Sequence, residues 1–298
     1  MMRIVRLHAI VVVCGFSMAY AQGQPWKISI NANLTTTMNS YSDNWVGGEA
    51  GSMSWASQFN GTADKVLSLK FLNKNALRLA FGEALLQDKT TKIWAPPKKS
   101  TDLIDFSSVL QATLGAVVDP YVSLRLISEF LDGSDSLLTR YLNPADITES
   151  AGAARQLVKN SDVDWSARLG AAARQVVDRK KRESDSTVQR KTDATYDGGF
   201  EVVSELKTVN KDKWVNYTSL FKLYQAVVSS KAKSLKGTSE QEDWHYPHIN
   251  WEHILNLNVT KFIMVNVYLQ LLYDKEIQEN VRFKQTYAVG LTYALTTK

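Results

Sequence analysis

"VRFKQTYAVGLTYAL", Val281 to Leu295, divides by parity: Phe283, Tyr287, Val289, Leu291, Tyr293 and Leu295 fall on odd positions, Lys284, Thr286, Ala288, Gly290, Thr292 and Ala294 on even ones. A period of two places successive side chains on opposite faces of a strand, so this segment has one greasy, aromatic face and one small, polar face. The segment before it repeats the division, with Ile263, Val265, Val267, Leu269, Leu271 and Tyr273 opposed to Met264, Asn266, Tyr268, Gln270 and Leu272. So does the stretch from Trp251 through His253, Leu255, Leu257 and Val259 against Glu252, Ile254, Asn256 and Asn258.

Upstream, the same alternation marks strands near residues 26–37, 51–71, 75–86, 102–115, 121–132, 145–157, 163–178, 195–208 and 214–228. With the final three, twelve strands are expected, and no stretch has convincing helical period. The fold class is all-β.

A soluble sandwich and a membrane barrel both fit that pattern, and the connections discriminate between them. Every second link reads as tight, at 72–74, 116–120, 158–162, 209–213 and 260–261, with turn-forming Asn73-Lys74-Asn75, Asp119-Pro120, Asn160-Ser161-Asp162 and Asn210-Lys211-Asp212. The links between read as longer, at 38–50, 87–101, 133–144, 179–194, 229–250 and 274–282. An even strand count with alternating short and long links is the pattern of a twelve-stranded antiparallel up-and-down transmembrane barrel. In lipid such a sheet closes so that every backbone polar group is paired, and its apolar side chains face outwards. Trp26, Trp55, Trp94, Trp165, Trp214, Trp251, Tyr287 and Tyr293 are candidates for interfacial girdles.

The remaining composition fits this class. Arg3 and Arg6 precede an apolar run from Ala9 to Phe16 and a small-x-small Ala19-Tyr20-Ala21, so residues 1–21 read as an export signal and 22–298 as one barrel domain. The single cysteine, Cys14, leaves with the signal, so neither disulfides nor thiolate chemistry is expected. Loss of Arg3 and Arg6 takes the formal charge from +5 to +3, too weak a balance to argue for nucleic acid. No stretch approaches the ~18 to 20 apolar residues of a spanning helix.

At the first long link stands Asn44, Trp45, Gly47, Gly48 and Glu49. Together with the strand pair after it, Leu142-Asn143-Pro144-Ala145 and the final strand pair, this loop resembles a family of uncharacterised Gram-negative outer-membrane barrels. That family is a domain of unknown function marked by an Asn-Trp-x-x-Gly-Gly-Glu loop. The resemblance implies a bacterial outer-membrane barrel and supplies no activity. The middle departs from the family, with alanine-rich "ESAGAARQLV" and "ARLGAAARQVV" where larger apolar residues would be expected. A nucleotide loop needs a following Gly-Lys-Ser/Thr and a helix, whereas Met53, Trp55 and Phe59 begin a strand. Gly47 and Gly48 therefore read as a turn, with Glu49 expected to meet a basic partner at the barrel mouth.

Parity places charges of both signs inside: Arg78, Arg125, Arg168, Arg174, Lys222 and Lys284 with Asp105, Glu129, Asp164, Glu205 and Glu252. These either line a selective channel or pair across the lumen and close it. Glu83 breaks the pattern by facing lipid, which a bulge at Gly82 or a place above the membrane would explain. The four Asn-x-Thr triplets at Asn33, Asn60, Asn216 and Asn258 read as inward polar strand positions. His245, His248 and His253 match no ligand spacing, so no metal or cofactor is expected. A pairing of His253 with a serine on a neighbouring strand is the enzyme alternative, a barrel-embedded lipid hydrolase. Basic clusters at Lys98-Lys99, residues 179–182, Arg190-Lys191, and Lys231, Lys233 and Lys236 either are solvated or meet lipopolysaccharide phosphates. The resulting expectation is a monomeric small-solute channel or passive transporter, with a closed structural barrel as the alternative.

Overall fold

A computed structural model describes residues 25–41, 50–133, 139–182, 189–210 and 214–296, so the export segment and the Asn44 to Glu49 loop lie outside the described residues. In chain order the strands are β1 (Lys27–Asn39), β2 (Ser52–Ser68), β3 (Phe71–Leu86), β4 (Lys98–Ala112), β5 (Asp119–Ser128), β6 (Leu131–Asp132) and β7 (Arg140–Tyr141). They continue as β8 (Ala145–Lys159), β9 (Val163–Arg182), β10 (Gln189–Val209), β11 (Val215–Ser229), β12 (His248–Asn258), β13 (Ile263–Asp274) and β14 (Gln278–Thr296). β6 and β7 form a two-residue hairpin, and the other twelve strands form one closed antiparallel barrel in which β1 pairs with β14 from Ser29↔Thr296 to Leu34↔Leu291. The start of β1, the end of β14 and the tight turns share one end, called lower here. Among the described residues no helix is long and apolar enough to cross a membrane.

The interior is inverted relative to a soluble domain. Among the described residues thirteen buried positions are polar or charged and nine are apolar. The large apolar side chains point outwards instead: Leu34, Val122, Leu169, Phe283, Tyr287, Val289 and Leu291 are 50–69 % exposed.

Three boundaries of the wall differ from the sequence expectation, each for a physical reason. The β2–β3 turn falls at Leu69 and Lys70, before Asn73-Lys74-Asn75. These asparagines act across strands: Asn73 Nδ2 donates to the Val109 carbonyl (3.3 Å), and Asn75 Nδ2 to the Ala63 carbonyl (3.0 Å) and Asn73 Oδ1 (2.6 Å). β5 ends at Ser128, so Glu129 lies beyond the strand; the Asp102 carboxylate takes the N–H groups of Phe130 (2.7 Å) and Leu131 (2.9 Å) and draws the chain off the wall. The expected long link at 274–282 is only three residues, because polar Gln278, Glu279 and Asn280 belong to β14, which places Tyr287 mid-strand. Trp94 sits in the β3–β4 connection, bridged to Gln87.

The expected β9–β10 loop is largely strand. β8 reaches β9 only as far up as Val177 and β11 reaches β10 only to Asp197, so residues 178–182 and 189–196 form a two-stranded arm above the wall. At a rise of ~3.3 Å per residue its five-residue β9 side adds roughly 16 Å. A bulge does occur opposite Gly82: the β3–β4 register passes from Gly82↔Thr101 to Glu83↔Lys99, leaving Ser100 extra in β4. β3 keeps its own parity, so Glu83 stays on the outer face, opposite Trp55 and near the upper end of its strand.

Candidate functional site

A belt of ion pairs crosses the lumen at mid-height. Inward parity presents Arg78 on β3, Asp105 on β4, Arg125 on β5, Lys222 on β11 and Glu252 on β12. Arg125 grips Asp105 with two bonds, Nε to Oδ1 and Nη2 to Oδ2, each 2.9 Å. That fork-on-carboxylate geometry is the strong form of a charge-assisted pair. Arg78 Nη2 donates to Glu252 Oε2 at 2.6 Å, and its Nη1 lies 3.7 Å from Asp105. Around the ring β3 and β12 are separated by five steps through β2, β1, β14 and β13, so this bond spans the barrel. Glu252 also accepts from Asn250 Nδ2 (2.9 Å) and from the Tyr268 hydroxyl (3.1 Å), while Lys222 Nζ stays 3.9 Å from Asp105.

Below the belt, one side of the lumen is packed. Tyr121 is buried with Val109 and Ala154, and the Arg168 guanidinium lies 5.4 Å from the Tyr121 ring centre. The alanine-rich stretches make this packing possible. Gly152 and Gly170 face each other across β8 and β9, and a Cβ on Gly170 would stand 2.6 Å from the Tyr121 hydroxyl. Ser150 donates to Glu201 Oε1 at 2.5 Å and shares a 2.7 Å bond with Ser123. At the lower rim Glu205 pairs with Lys207 (2.7 Å), and Asp164 pairs with Lys159 and takes a bond from Gln156 (2.8 Å).

A cavity of about 660 Å³ runs from the upper residues Asp274 and Ile277 past the belt to Asn256 and Glu201. Amides form one wall, Asn33, Gln58, Asn60, Asn250, Asn256, Asn266 and Gln270, and the Oδ1 atoms of Asn33 and Asn266 are buried without a hydrogen-bond partner in the protein. The other wall carries Arg174, which grips Asp146 at 2.8 and 3.0 Å. The β11–β12 connection, with its single 3-10 turn Asp243–His245, folds into the mouth. It buries Trp244 against Tyr224, Ala226 and the small Ala172 of the second alanine-rich stretch. Lys231–Glu276 (2.7 Å) and Lys275–Asp243 (3.3 Å) tie that connection to the β13–β14 turn. In the β3–β4 connection the Thr91 N–H and hydroxyl and the Thr90 N–H donate to Asp88 and hold its carboxyl below the usual carboxylate range.

Of the residues singled out from sequence, Arg78, Asp105, Arg125, Glu129, Arg174, Lys222, Glu252 and Lys284 line this cavity, whereas Asp164, Arg168 and Glu205 lie on the same inward parity below it. His248, Asp274 and Glu276 bring ligand atoms within 4.8 Å of one another. Arg174 Nη1, 3.2 Å from His248 Nδ1, and the Lys231 ammonium on Glu276 already supply the positive charge there, so the donor set does not suit a metal ion. His245 stacks on Trp244 in the mouth. His253 faces outwards, bonded through Nδ1 to the Tyr217 hydroxyl (2.8 Å); the serine opposite it, Ser219, accepts from Trp251 Nε1 (3.1 Å) instead. The two side chains thus have separate partners. Sequence reading passed over Asp146, Tyr224, Arg282 and the loop residue Trp244; the first three carry the inward-parity signal, Trp244 none.

Residues 38–133 match a family described as "Protein of unknown function (DUF3078)". No curated protein matches the chain. Among solved structures, the chain is similar to the COG4313 outer membrane channel from Pseudomonas putida F1, with 12% identity, TM-score 0.42, and 95% of this chain and 98% of that one covered. It is also similar to the translocator domain of the autotransporter NalP from Neisseria meningitidis (10% identity, TM-score 0.36, 90% and 87% covered). A third is OccK5 (OpdH) of Pseudomonas aeruginosa (7% identity, TM-score 0.29, 92% and 98% covered).

Proposed function

We propose that this protein is a bacterial outer-membrane barrel whose lumen is barred at rest by its ion-pair belt, and that a small polar solute enters the cavity from the upper, outer side. Passage then requires the belt to open, so the protein is a gated passive route for solutes and not an open pore. The observation that carries this reading is the Arg78–Glu252 bond, which joins nearly opposite walls at mid-height. Placement in lipid is supported by the exposed apolar outer wall. It is supported as well by the outward Trp251 indole, whose N–H finds a serine acceptor on the neighbouring strand, Ser219 (3.1 Å), as a donor without access to water requires. Trp26, Trp165, Trp214 and Tyr293 gather near the lower end, where an interfacial girdle belongs.

Planar-bilayer recording of the purified protein tests the reading. Wild-type protein is expected to show little conductance at low voltage, and the Arg78→Ala/Glu252→Ala double variant, checked for native heat-modifiable gel mobility, to show frequent openings. Large steady openings of the wild type would sink the barred state. A silent double variant would favour the permanently closed structural barrel.

A further inference from the structure

Seven carboxylates and six Lys or Arg side chains line the cavity, but only three of the six cations are gripped at hydrogen-bond distance. Arg78, Arg125 and Arg174 each hold a carboxylate oxygen at 2.6 to 2.9 Å. Lys222 does not: its closest carboxylate is Asp105 Oδ2 at 3.9 Å, an oxygen that already accepts from Arg125. On β14, Lys284 has the Tyr268 ring face at 5.9 Å, and Arg282 Nε is buried without a hydrogen-bond partner in the protein. Among the described residues neither makes an ion pair. The acids of the same cavity are occupied: Glu252 by Arg78, Asn250 and Tyr268, Asp146 by Arg174, Asp274 by His248 (2.9 Å), and Glu201 by Ser150. Three cations therefore front the cavity with no carboxylate in hydrogen-bond reach.

A charge withdrawn from bulk water needs a counter-charge with good geometry. The barrel supplies no such carboxylate here, so a solute can. We propose that the cavity binds a small oxyanion, a carboxylate or a phosphate, between Lys222 on β11 and Arg282 and Lys284 on β14. These strands are three steps apart around the ring, so the cations front the cavity from two parts of its wall. Tyr224, whose buried hydroxyl has no partner in the protein, lines the same cavity and is suited to donate to the anion's remaining oxygen. The proposal rests on the cavity being the solute-receiving site, and it names the class of solute.

The test is calorimetric titration of the folded wild-type barrel in detergent with inorganic phosphate and with succinate, and with glucose as a neutral probe. Saturable binding of phosphate, succinate or both is expected, with glucose inert, and the anion that binds identifies the oxyanion source. Lys222→Gln and Lys284→Gln are each expected to weaken that binding by about tenfold, the effect of losing one charge-assisted contact. Arg282→Gln replaces either variant that lacks native heat-modifiable mobility. No binding of either anion, glucose binding as tight as theirs, or unchanged affinity in the folded variants overturns the proposal. Chloride conductance of the same preparation reports the barred lumen separately, so either reading can fail alone.

Discussion

Replacing Arg78 with methionine removes the one hydrogen bond that ties β3 to β12, and the structure bounds the cost. Glu252 keeps its bonds from Asn250 (2.9 Å) and Tyr268 (3.1 Å), and Asp105 keeps both of its bonds to Arg125. Neither carboxylate is orphaned, so the loss is closer to one charge-assisted bond, about 1.5 to 3 kcal/mol, than to the ~3 to 5 kcal/mol of a buried pair left half-empty. Glu252→Gln takes the charge from the same bond, leaving Arg78 a neutral amide oxygen and Asp105 at 3.7 Å, so a similar or smaller cost is expected. If the two act on one bond, Arg78→Met/Glu252→Gln costs less than the sum of the single changes by about 1 to 2 kcal/mol. Urea unfolding of the barrel in lipid vesicles, followed by tryptophan fluorescence and by heat-modifiable mobility, measures all four corners of the cycle. A coupling energy under about 0.5 kcal/mol would show that the bond contributes nothing to the closed barrel, and the barred-lumen reasoning would fall with it.

Three further outcomes follow from local geometry. Gly152→Ala places a Cβ 2.1 Å from the Leu169 carbonyl oxygen and 2.4 Å from Gly170 Cα, neither able to yield. It should cost about 3 kcal/mol in the same unfolding assay, whereas Gly133→Ala, with nothing within 4 Å, should stay within about 0.5 kcal/mol, and equal effects would contradict the packing described. Trp244→Ala removes the anchor of the β11–β12 connection and should speed limited proteolysis between residues 230 and 247 while leaving the barrel heat-modifiable; unchanged cleavage would mean that other contacts hold the loop. Ser219→Ala deprives the Trp251 indole of its acceptor at a cost of about 1 to 2 kcal/mol, and Trp251→Phe in that background should recover part of it, unless the indole finds water.

What could be read from sequence depended on whether a residue's chemistry has one use or two. Outward Val265, Leu291 and Tyr293 have one use, and their alternation defined β13 and β14. Asparagine has two, because its amide closes a turn or bonds across strands with equal ease, and Asn73 and Asn75 took the second role at the expense of the expected turn. Gln278 to Asn280 read as loop because polar residues on a strand above an apolar band look like loop. Parity told which face Arg78 and Glu252 occupy, but not that they meet. That depends on the stagger of the whole closed sheet, to which no local window has access. The alanine-rich stretches have no local explanation, because Tyr121 and Trp244, which fill the space that Gly170 and Ala172 leave, come from distant parts of the chain.

Arg78 and Glu252 are separated by 174 residues, and the bond between them exists only when β1 has met β14. Loop-closure entropy makes so distant a contact among the last to form. Before that step both charges lie on one face of an open sheet, each without the other as partner. Once the seam joins, the same charges neutralise each other across the interior. The belt thus works as a latch that engages on completion, and a chain lacking it is expected to close its seam more slowly in a refolding assay.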